Sequence, residues 1–281
     1  MLKLNVGFIG FGEVAAALTS WLNRCDIKIY TSLENRSIQT MDRARKLDVQ
    51  TYKSNQDLAE NSDILISSVT PAYAVNIAKE VGNYVRGIYV DVNNISPQTA
   101  LESLKYIKNG KTVDAAIMGG VKNGNQTLIV ASGRCAEKFA ELNSYGLNIK
   151  VLGPELGRAK TLKMLRSQYT KGISALLFES FLTAYKFGLD EELLGCLELT
   201  EGPEFCKSAA SRITSSITHA QRRSEEMEEI IKFIKSSDIY ENGYPEMVEA
   251  AQSVFRYISR TYDGTAKPEG YKEALKFFKK P

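Results

Sequence analysis

The sequence predicts an α/β domain, a doubly wound parallel sheet with helices on both faces, followed by an all-helical domain. Three observations carry this. A glycine-rich turn at residues 7–15 lies between a strand-like run and a helix-like run. Strand-like and helix-like stretches then alternate through the first half of the chain, as a doubly wound sheet requires. Beyond Gly153-Pro154 the strand signal stops and only helical spacing remains. The expected division is therefore a nucleotide-binding domain over residues 1–154 and a helical domain over 155–281.

Residues 3–9 are a short, mostly apolar run that reads as a buried parallel strand. Val14, Leu18, Trp21 and Leu22 then fall on one helical face. Gly10, Gly12 and Ala15 between them form a G-x-G-x-x-A pattern in the strand–turn–helix setting that gives it meaning. Gly10 permits the turn, Gly12 lets the backbone approach a pyrophosphate, and Ala15 allows close helix–strand packing. The free N–H groups of the helix start face the anion. Gly10, Phe11, Gly12, Glu13 and Val14 are accordingly the first candidate contacts to a dinucleotide.

A second strand over residues 26–30 leads into a polar loop, 31–37, and a helix over 38–47. Doubly wound dinucleotide sites place an acidic residue after this strand to grip the ribose hydroxyls of NAD. Thr31, Ser32 and Arg36 stand there instead, a set suited to a 2′-phosphate, with Glu34 in the same loop weighing against it. NADP is thereby slightly favoured over NAD. The strand over 63–69 ends in Thr70-Pro71, which makes Val69 and Thr70 further cofactor candidates. A helix over 72–85, a strand over 88–92, a helix over 97–107 and a strand over 112–117 follow. Residues 126–132 and 149–152 complete the sheet.

In the second half, Leu162, Leu165, Tyr169, Ile173, Leu176 and Leu177 recur at three- and four-residue steps, the stripe of a helix reaching to about Lys186. Further helices are expected at 193–199, 206–236, 245–262 and 271–280. Gly188, Gly202-Pro203, Asn242-Gly243 and Gly264 punctuate them. A helix as long as 206–236 offers more apolar stripe than a small domain buries alone, which predicts a homodimer built from these helices.

Composition narrows the class. The 281 residues are 43% hydrophobic and 25% charged, with a net charge of +3, which is ordinary for a globular protein and gives no nucleic-acid-binding surface. Cys25, Cys135, Cys196 and Cys206 are scattered, and the single histidine, His219, has no cysteine near it. No metal cage or disulfide framework is expected. The chain starts in a strand without a signal segment and has no apolar run long enough to span a bilayer, so a cytoplasmic protein without membrane contact is expected.

Several segments resemble the β-hydroxyacid dehydrogenase superfamily, which includes 3-hydroxyisobutyrate and 6-phosphogluconate dehydrogenases. Asp91-Val92-Asn93-Asn94-Ile95-Ser96-Pro97 is similar to that group's Asp-x-Ser-Thr-Ile-Ser-Pro segment beside the nicotinamide. Asp114 to Gly120 resembles its Asp-Ala-Pro-Val-Ser-Gly-Gly substrate loop, and Lys163-Met164-Leu165-Arg166-Ser167 stands where its catalytic lysine helix begins. Lys163 to Glu179, His219 to Arg223 and Glu225-Glu226-Met227 resemble one branch, whose helical C-terminal domain has a largely unassigned role. The resemblance implies a Rossmann domain and a 6-phosphogluconate-dehydrogenase-like helical domain. It also implies an NAD(P)-dependent oxidoreductase for a small anionic, carboxylate-bearing hydroxy acid, with a lysine as general acid/base, in a dimer or larger. Four positions depart from the group: its loop serine is Met118, its asparagine after the lysine is Ser167, and its serine–threonine pair is Asn93-Asn94. An imine reductase is therefore an alternative, and a non-catalytic nucleotide sensor a second.

Within this frame Lys163 is the candidate proton-transfer residue. An ordinary lysine titrates near 10.4, so the role requires burial or a neighbouring cation. Lys160 is its rival in the same turn. The residue four on shares the helix face; it is polar Ser167 for Lys163 and apolar Met164 for Lys160, which favours Lys163. Gly119, Gly120, Asn94 and Ser167 are candidate substrate contacts, and Asn93 a cofactor contact. His219, Arg222 and Arg223, at helical spacing, are either a solvated face paired with nearby glutamates or an anion clamp on the substrate.

Overall fold

The computed structural model describes residues 4–23, 25–237, 245–262, 264 and 268–278. The chain forms two compact units, divided between Lys163 and Met164.

The first unit contains β1 (Leu4–Ile9), α1 (Glu13–Trp21), β2 (Ile27–Ser32), α2 (Ile38–Lys46), β3 (Gln50–Tyr52), α3 (Asn55–Glu60) and β4 (Ile64–Ser67). A 3-10 turn, Pro71–Tyr73, leads into α4 (Ala74–Val81), followed by β5 (Ile88–Asp91), α5 (Pro97–Leu104) and β6 (Lys111–Ile117). A second 3-10 turn, Val121–Gln126, precedes β7 (Leu128–Ser132), α6 (Ala136–Ala140) and β8 (Asn148–Val151). The eight strands run in the order β3-β2-β1-β4-β5-β6-β7-β8. Their alternation shows why both faces are covered. Val6, Phe8, Ile64, Ile66, Ile88 and Val90 enter one core, while Ile9, Leu65 and Tyr89, from the same strands, enter the other. The order reverses between β1 and β4, the switch point at which doubly wound sheets bind ligands.

Three expectations are corrected. The sheet is not wholly parallel, because β7 runs antiparallel to β6; the hydrophobic pattern is blind to strand direction. The short β3 and α3 stand between the expected helix over 38–47 and strand over 63–69, where no element is expected; only Asn55, Leu58 and Ala59 of α3 are buried. The helix expected over 72–85 is a 3-10 turn and the shorter α4, its entry set by Pro71.

α7 (Arg158–Phe187) is one helix of 30 residues that begins in the first unit and continues into the second. The second unit adds α8 (Asp190–Glu201), α9 (Phe205–Thr218), α10 (Ala220–Lys235), α11 (Glu246–Thr261) and α12 (Tyr271–Lys276). Phe178, Phe181, Ile213, Ile217, Met227, Ile230, Phe255 and Ile258 form its core. The single helix expected over 206–236 is two, broken at His219, whose φ of −122° and ψ of 23° are not helical. No glycine or proline marks that break, so the sequence hid it. Lys3, Asn242-Gly243 and Lys280 lie outside the described residues.

Candidate nucleotide site and buried charge at the strand ends

The turn from β1 to α1 is built around two glycines with different tasks. Gly10 has φ of +81°, and a Cβ there would lie 2.6 Å from the Ser68 carbonyl oxygen and 2.8 Å from Val69 Cγ1. Only glycine fits that conformation against that wall. Gly12 is the N-cap of α1 in extended backbone, with no side chain capping the helix. A Cβ on Gly12 would meet nothing within 4 Å. The first-turn N–H groups are thus free of a side-chain cap beside open space, the arrangement that receives a phosphate. Ala15 is fully buried, Phe11 is 1% exposed, Val14 is half-buried and Glu13 is exposed.

At the end of β2 the candidates divide. Thr31 is buried and its hydroxyl donates to the Phe8 carbonyl at 2.8 Å. Ser32 is buried, and its hydroxyl accepts from the Glu34 N–H at 3.4 Å. Arg36 is half-buried, and its Nε is shielded from solvent without a hydrogen-bond partner. An orphaned guanidinium N–H fits a phosphate oxygen; the Thr31 hydroxyl is already donated to the fold, while Ser32 accepts a bond and keeps its own proton.

Beyond β4, Val69 is half-buried and Thr70 exposed. The Val69 N–H donates to Asn93 Oδ1 at 2.7 Å, and Asn93 Nδ2 donates to Ser67 Oγ at 3.0 Å. Asn93 therefore braces the loop after β4 against the end of β5, while its neighbour Asn94 is exposed.

Four polar residues share one register across four strands. Ser67 pairs with Asp91, Asp91 with Asp114, and Asp114 with Ser132. All four side chains are fully buried. They serve the start of α7. The Ala159 N–H donates to Ser132 Oγ at 3.2 Å and the Lys160 N–H to Asp114 Oδ2 at 3.2 Å, so β6 and β7 cap the helix from a distance. Lys160, 1% exposed, completes the arrangement. Its ammonium donates to the Asp91 carbonyl at 2.9 Å, Asp91 Oδ1 at 3.2 Å and the Ala115 carbonyl at 2.5 Å, with Asp114 Oδ1 at 3.5 Å. An ammonium has three protons, and all three are in use.

Lys163 and Ser167 are both half-buried on α7. At Gly119, with φ of +107°, and at Gly120 an added Cβ would meet nothing within 4 Å, so this backbone is open to approach. Met118 is half-buried, with its N–H donated to the Leu128 carbonyl at 2.8 Å.

In the second unit His219 and Arg222 are exposed. Arg223 turns inward, donating to Ser216 Oγ at 2.7 Å and Ser215 Oγ at 2.5 Å, over the Phe255 ring at 5.6 Å. Burial lowers its pKa to about 10. Sequence reasoning missed Lys171 of α7, whose ammonium lies 3.2 Å from Glu226, and the buried acids around Lys160. The one available signal is an aspartate within each of two apolar strand runs, at the end of β5 and in the middle of β6. Among the described residues no group of His, Cys, Asp and Glu is placed to hold a metal ion, and no helix is long and apolar enough to cross a membrane.

Comparison with known proteins gives this geometry a context. Residues 5–95 match the family described as NADP oxidoreductase, coenzyme F420-dependent, and residues 184–258 match a domain of unknown function, DUF1932. An uncharacterised 28.5 kDa protein of Methanothermus fervidus is 45% identical over 255 residues, covering 91% of this chain and 99% of that protein. The solved structure of conserved protein MTH1747, described as structurally similar to 3-hydroxyacid dehydrogenases, is 47% identical. It superposes with a TM-score of 0.81 over 92% of this chain and 97% of that one. Human pyrroline-5-carboxylate reductase 2 is 31% identical over 94 residues, 32% of this chain and 29% of that enzyme. The chain belongs to the family of the Methanothermus protein and MTH1747.

Proposed function

We propose that this member of the β-hydroxyacid dehydrogenase superfamily is an NAD(P)-dependent oxidoreductase of small, carboxylate-bearing hydroxy acids, with Lys163 as general acid/base. The observation that carries the reading is the open cradle at the head of α1, where Gly12 leaves uncapped N–H groups beside free space. When bound, the nicotinamide cofactor supplies or accepts the hydride. The chain's own part is to hold the pyrophosphate at Gly10 to Val14, to present open backbone at Gly119-Gly120, and to move one proton.

The choice between the two lysines gains support from their surroundings. Lys160 has every N–H committed to buried oxygens, which leaves it no proton to exchange with a substrate. Lys163, one turn on, is half-buried with Ser167 at the following turn of the same face. The unpartnered Nε of Arg36 favours NADP over NAD. A second reading, reduction of a C=N bond, draws on Met118 and Ser167 at the superfamily's serine and asparagine positions, and on the partial likeness to a pyrroline carboxylate reductase.

The test is a screen of hydroxy and imino carboxylic acids with NADP and NAD, followed by Lys163→Met on the best substrate. Turnover is expected to fall by about a hundred- to ten-thousandfold, with nucleotide affinity unchanged. Turnover close to the parent's would overturn the assignment.

The helical unit also leaves Leu165, Tyr169, Leu176, Phe187, Leu189 and Leu199 exposed. Such a face supports a homodimer through these helices, and light scattering at micromolar concentration is expected to give twice the chain mass.

A further inference from the structure

Lys171, Arg212, Arg222 and Arg223 come together where α7, α9 and α10 meet in the helical unit, around a single carboxylate. Glu226 lies 3.2 Å from Lys171 Nζ and 3.9 Å from Arg222 Nε. The Lys171 side chain is only 14% exposed, that of Glu226 32%, and that of Arg222 67%. Among the described residues Arg223 has no carboxylate within ion-pair distance; its bonds go to two neutral serine hydroxyls. Arg212 likewise donates to Ser208 Oγ at 3.2 Å and to the Thr170 carbonyl at 3.4 Å. The nearby acids are occupied elsewhere, Glu225 with Gln221 and Glu229 with Lys232.

Among the described residues Glu226 thus pairs with Lys171 and Arg222 while Arg223 and Arg212 bond to neutral groups, and Lys171 and Arg223 are substantially withdrawn from water. Burying charge without a counter-charge is costly, and the strain is visible in the cations themselves. Burial lowers the pKa of both Lys171 and Arg223, with Glu226 pulling the other way and the neighbouring arginines adding to the depression. A fold that needed only internal pairing would place further carboxylates here. The arrangement instead leaves a semi-open surface with guanidinium forks and an ammonium, the donors that grip a tetrahedral dianion.

We propose that this face of the helical unit binds a phosphoryl group, free or carried on a small molecule, through Lys171, Arg222 and Arg223, with Glu226 holding the cations in place until it arrives. Lys171, Arg222 and Arg223 exceed Glu226 by two charges; a carboxylate of single charge would meet half of that excess and a phosphate dianion all of it. The site does not rest on the hydride-transfer reading, because its test needs neither nucleotide nor turnover.

The experiment is calorimetric titration of the full chain at neutral pH and constant ionic strength, since salt screens exposed charges. Inorganic phosphate and glycerol 3-phosphate are the probes, with acetate as the carboxylate comparison. A saturable phosphate site that Gly12→Val leaves unchanged, and so is distinct from the cradle at the head of α1, is expected, with acetate at least about tenfold weaker. Arg222→Ala and Lys171→Met are each expected to weaken phosphate by about tenfold or more, as the loss of a charge-assisted bond does. Glu226→Gln is expected to tighten it, because it removes the competing carboxylate; a purely structural ion pair would give no such gain. Lys232→Ala, on an exposed pair further along α10, is expected to change nothing. A tighter glycerol 3-phosphate supports a phosphorylated metabolite, and a tighter inorganic phosphate supports the free ion. No saturable phosphate binding, equal affinity for acetate, or a Glu226→Gln protein that binds no better would each overturn the proposal. Arg222 is exposed, so a folding defect does not stand in the way of that arm.

Discussion

Lys160 and Lys171 lie on the same helix and are both withdrawn from solvent, yet they meet opposite surroundings. Lys160 enters a network in the α/β unit in which one ammonium meets two buried aspartates and two carbonyls, with Asp91 Oδ2 and Asp114 Oδ1 left without a hydrogen-bond partner. Lys171 enters a cluster in the helical unit where cations outnumber the acid that serves them. In the first every ammonium proton is bonded and the excess charge is acidic; it caps and anchors the start of α7. The second is electrically incomplete and serves binding. A buried lysine is therefore uninformative until its partners are counted, and the sign of the excess around it, acidic at Lys160 and cationic at Lys171, says what a further group there would have to carry.

The largest effect is expected at Lys160. Lys160→Met removes the ammonium and leaves Asp91 and Asp114 buried side by side with no counter-charge. Breaking a buried pair in this way costs about 3–5 kcal/mol, to be read as a lower urea midpoint at unchanged slope. Adding Asp114→Asn to Lys160→Met is expected to restore part of the loss, since it removes one of the stranded charges while keeping a group able to accept the Lys160-position N–H. A Lys160→Met protein as stable as the parent would erase the distinction between the two lysines.

The same contrast shows what the sequence disclosed. The β1–turn–α1 unit was legible because its signals are local: an apolar run, two glycines and a helical stripe within 19 residues, Leu4 to Leu22 in the structure. The sheet's core strands were legible because burial on both faces makes them continuous apolar runs. The role of Lys160 was not, because its partners lie 46 and 69 residues away, and no helical-face argument reaches that far. The face rule still favoured Lys163, on the polarity of Ser167 alone. Thr31 and Ser32 looked like cofactor hydroxyls because they follow an apolar strand, but β2 extends to Ser32 and draws both inside. The reversal of β7 and the break at His219 leave no mark in composition, since neither depends on glycine or proline. Charge excess around Lys171 is likewise a property of three helices meeting, invisible along any one of them.

The smaller effects test the nucleotide cradle by separating its shape from its charge. Gly12→Val is expected to abolish binding of NADP and NAD together while leaving the urea midpoint near the parent's. The backbone of Gly12 is extended and its side is open, so the valine folds without a clash and occupies the pyrophosphate's place. Arg36→Ala works on charge alone. Its Nε is buried without a partner in the protein, so removing it breaks no internal bond and stability is expected to hold. What is lost is a donor for the one group that distinguishes the two cofactors, the 2′-phosphate. A charge-assisted bond of this kind is worth roughly tenfold or more in affinity, so NADP is expected to weaken by that factor while NAD stays within about twofold. Equal weakening of both nucleotides would mean that Arg36 shapes the loop and does not read the phosphate. The preference for NADP would then have to come from elsewhere at the end of β2, where Thr31 donates inward to Phe8 and Ser32 keeps its own hydroxyl proton.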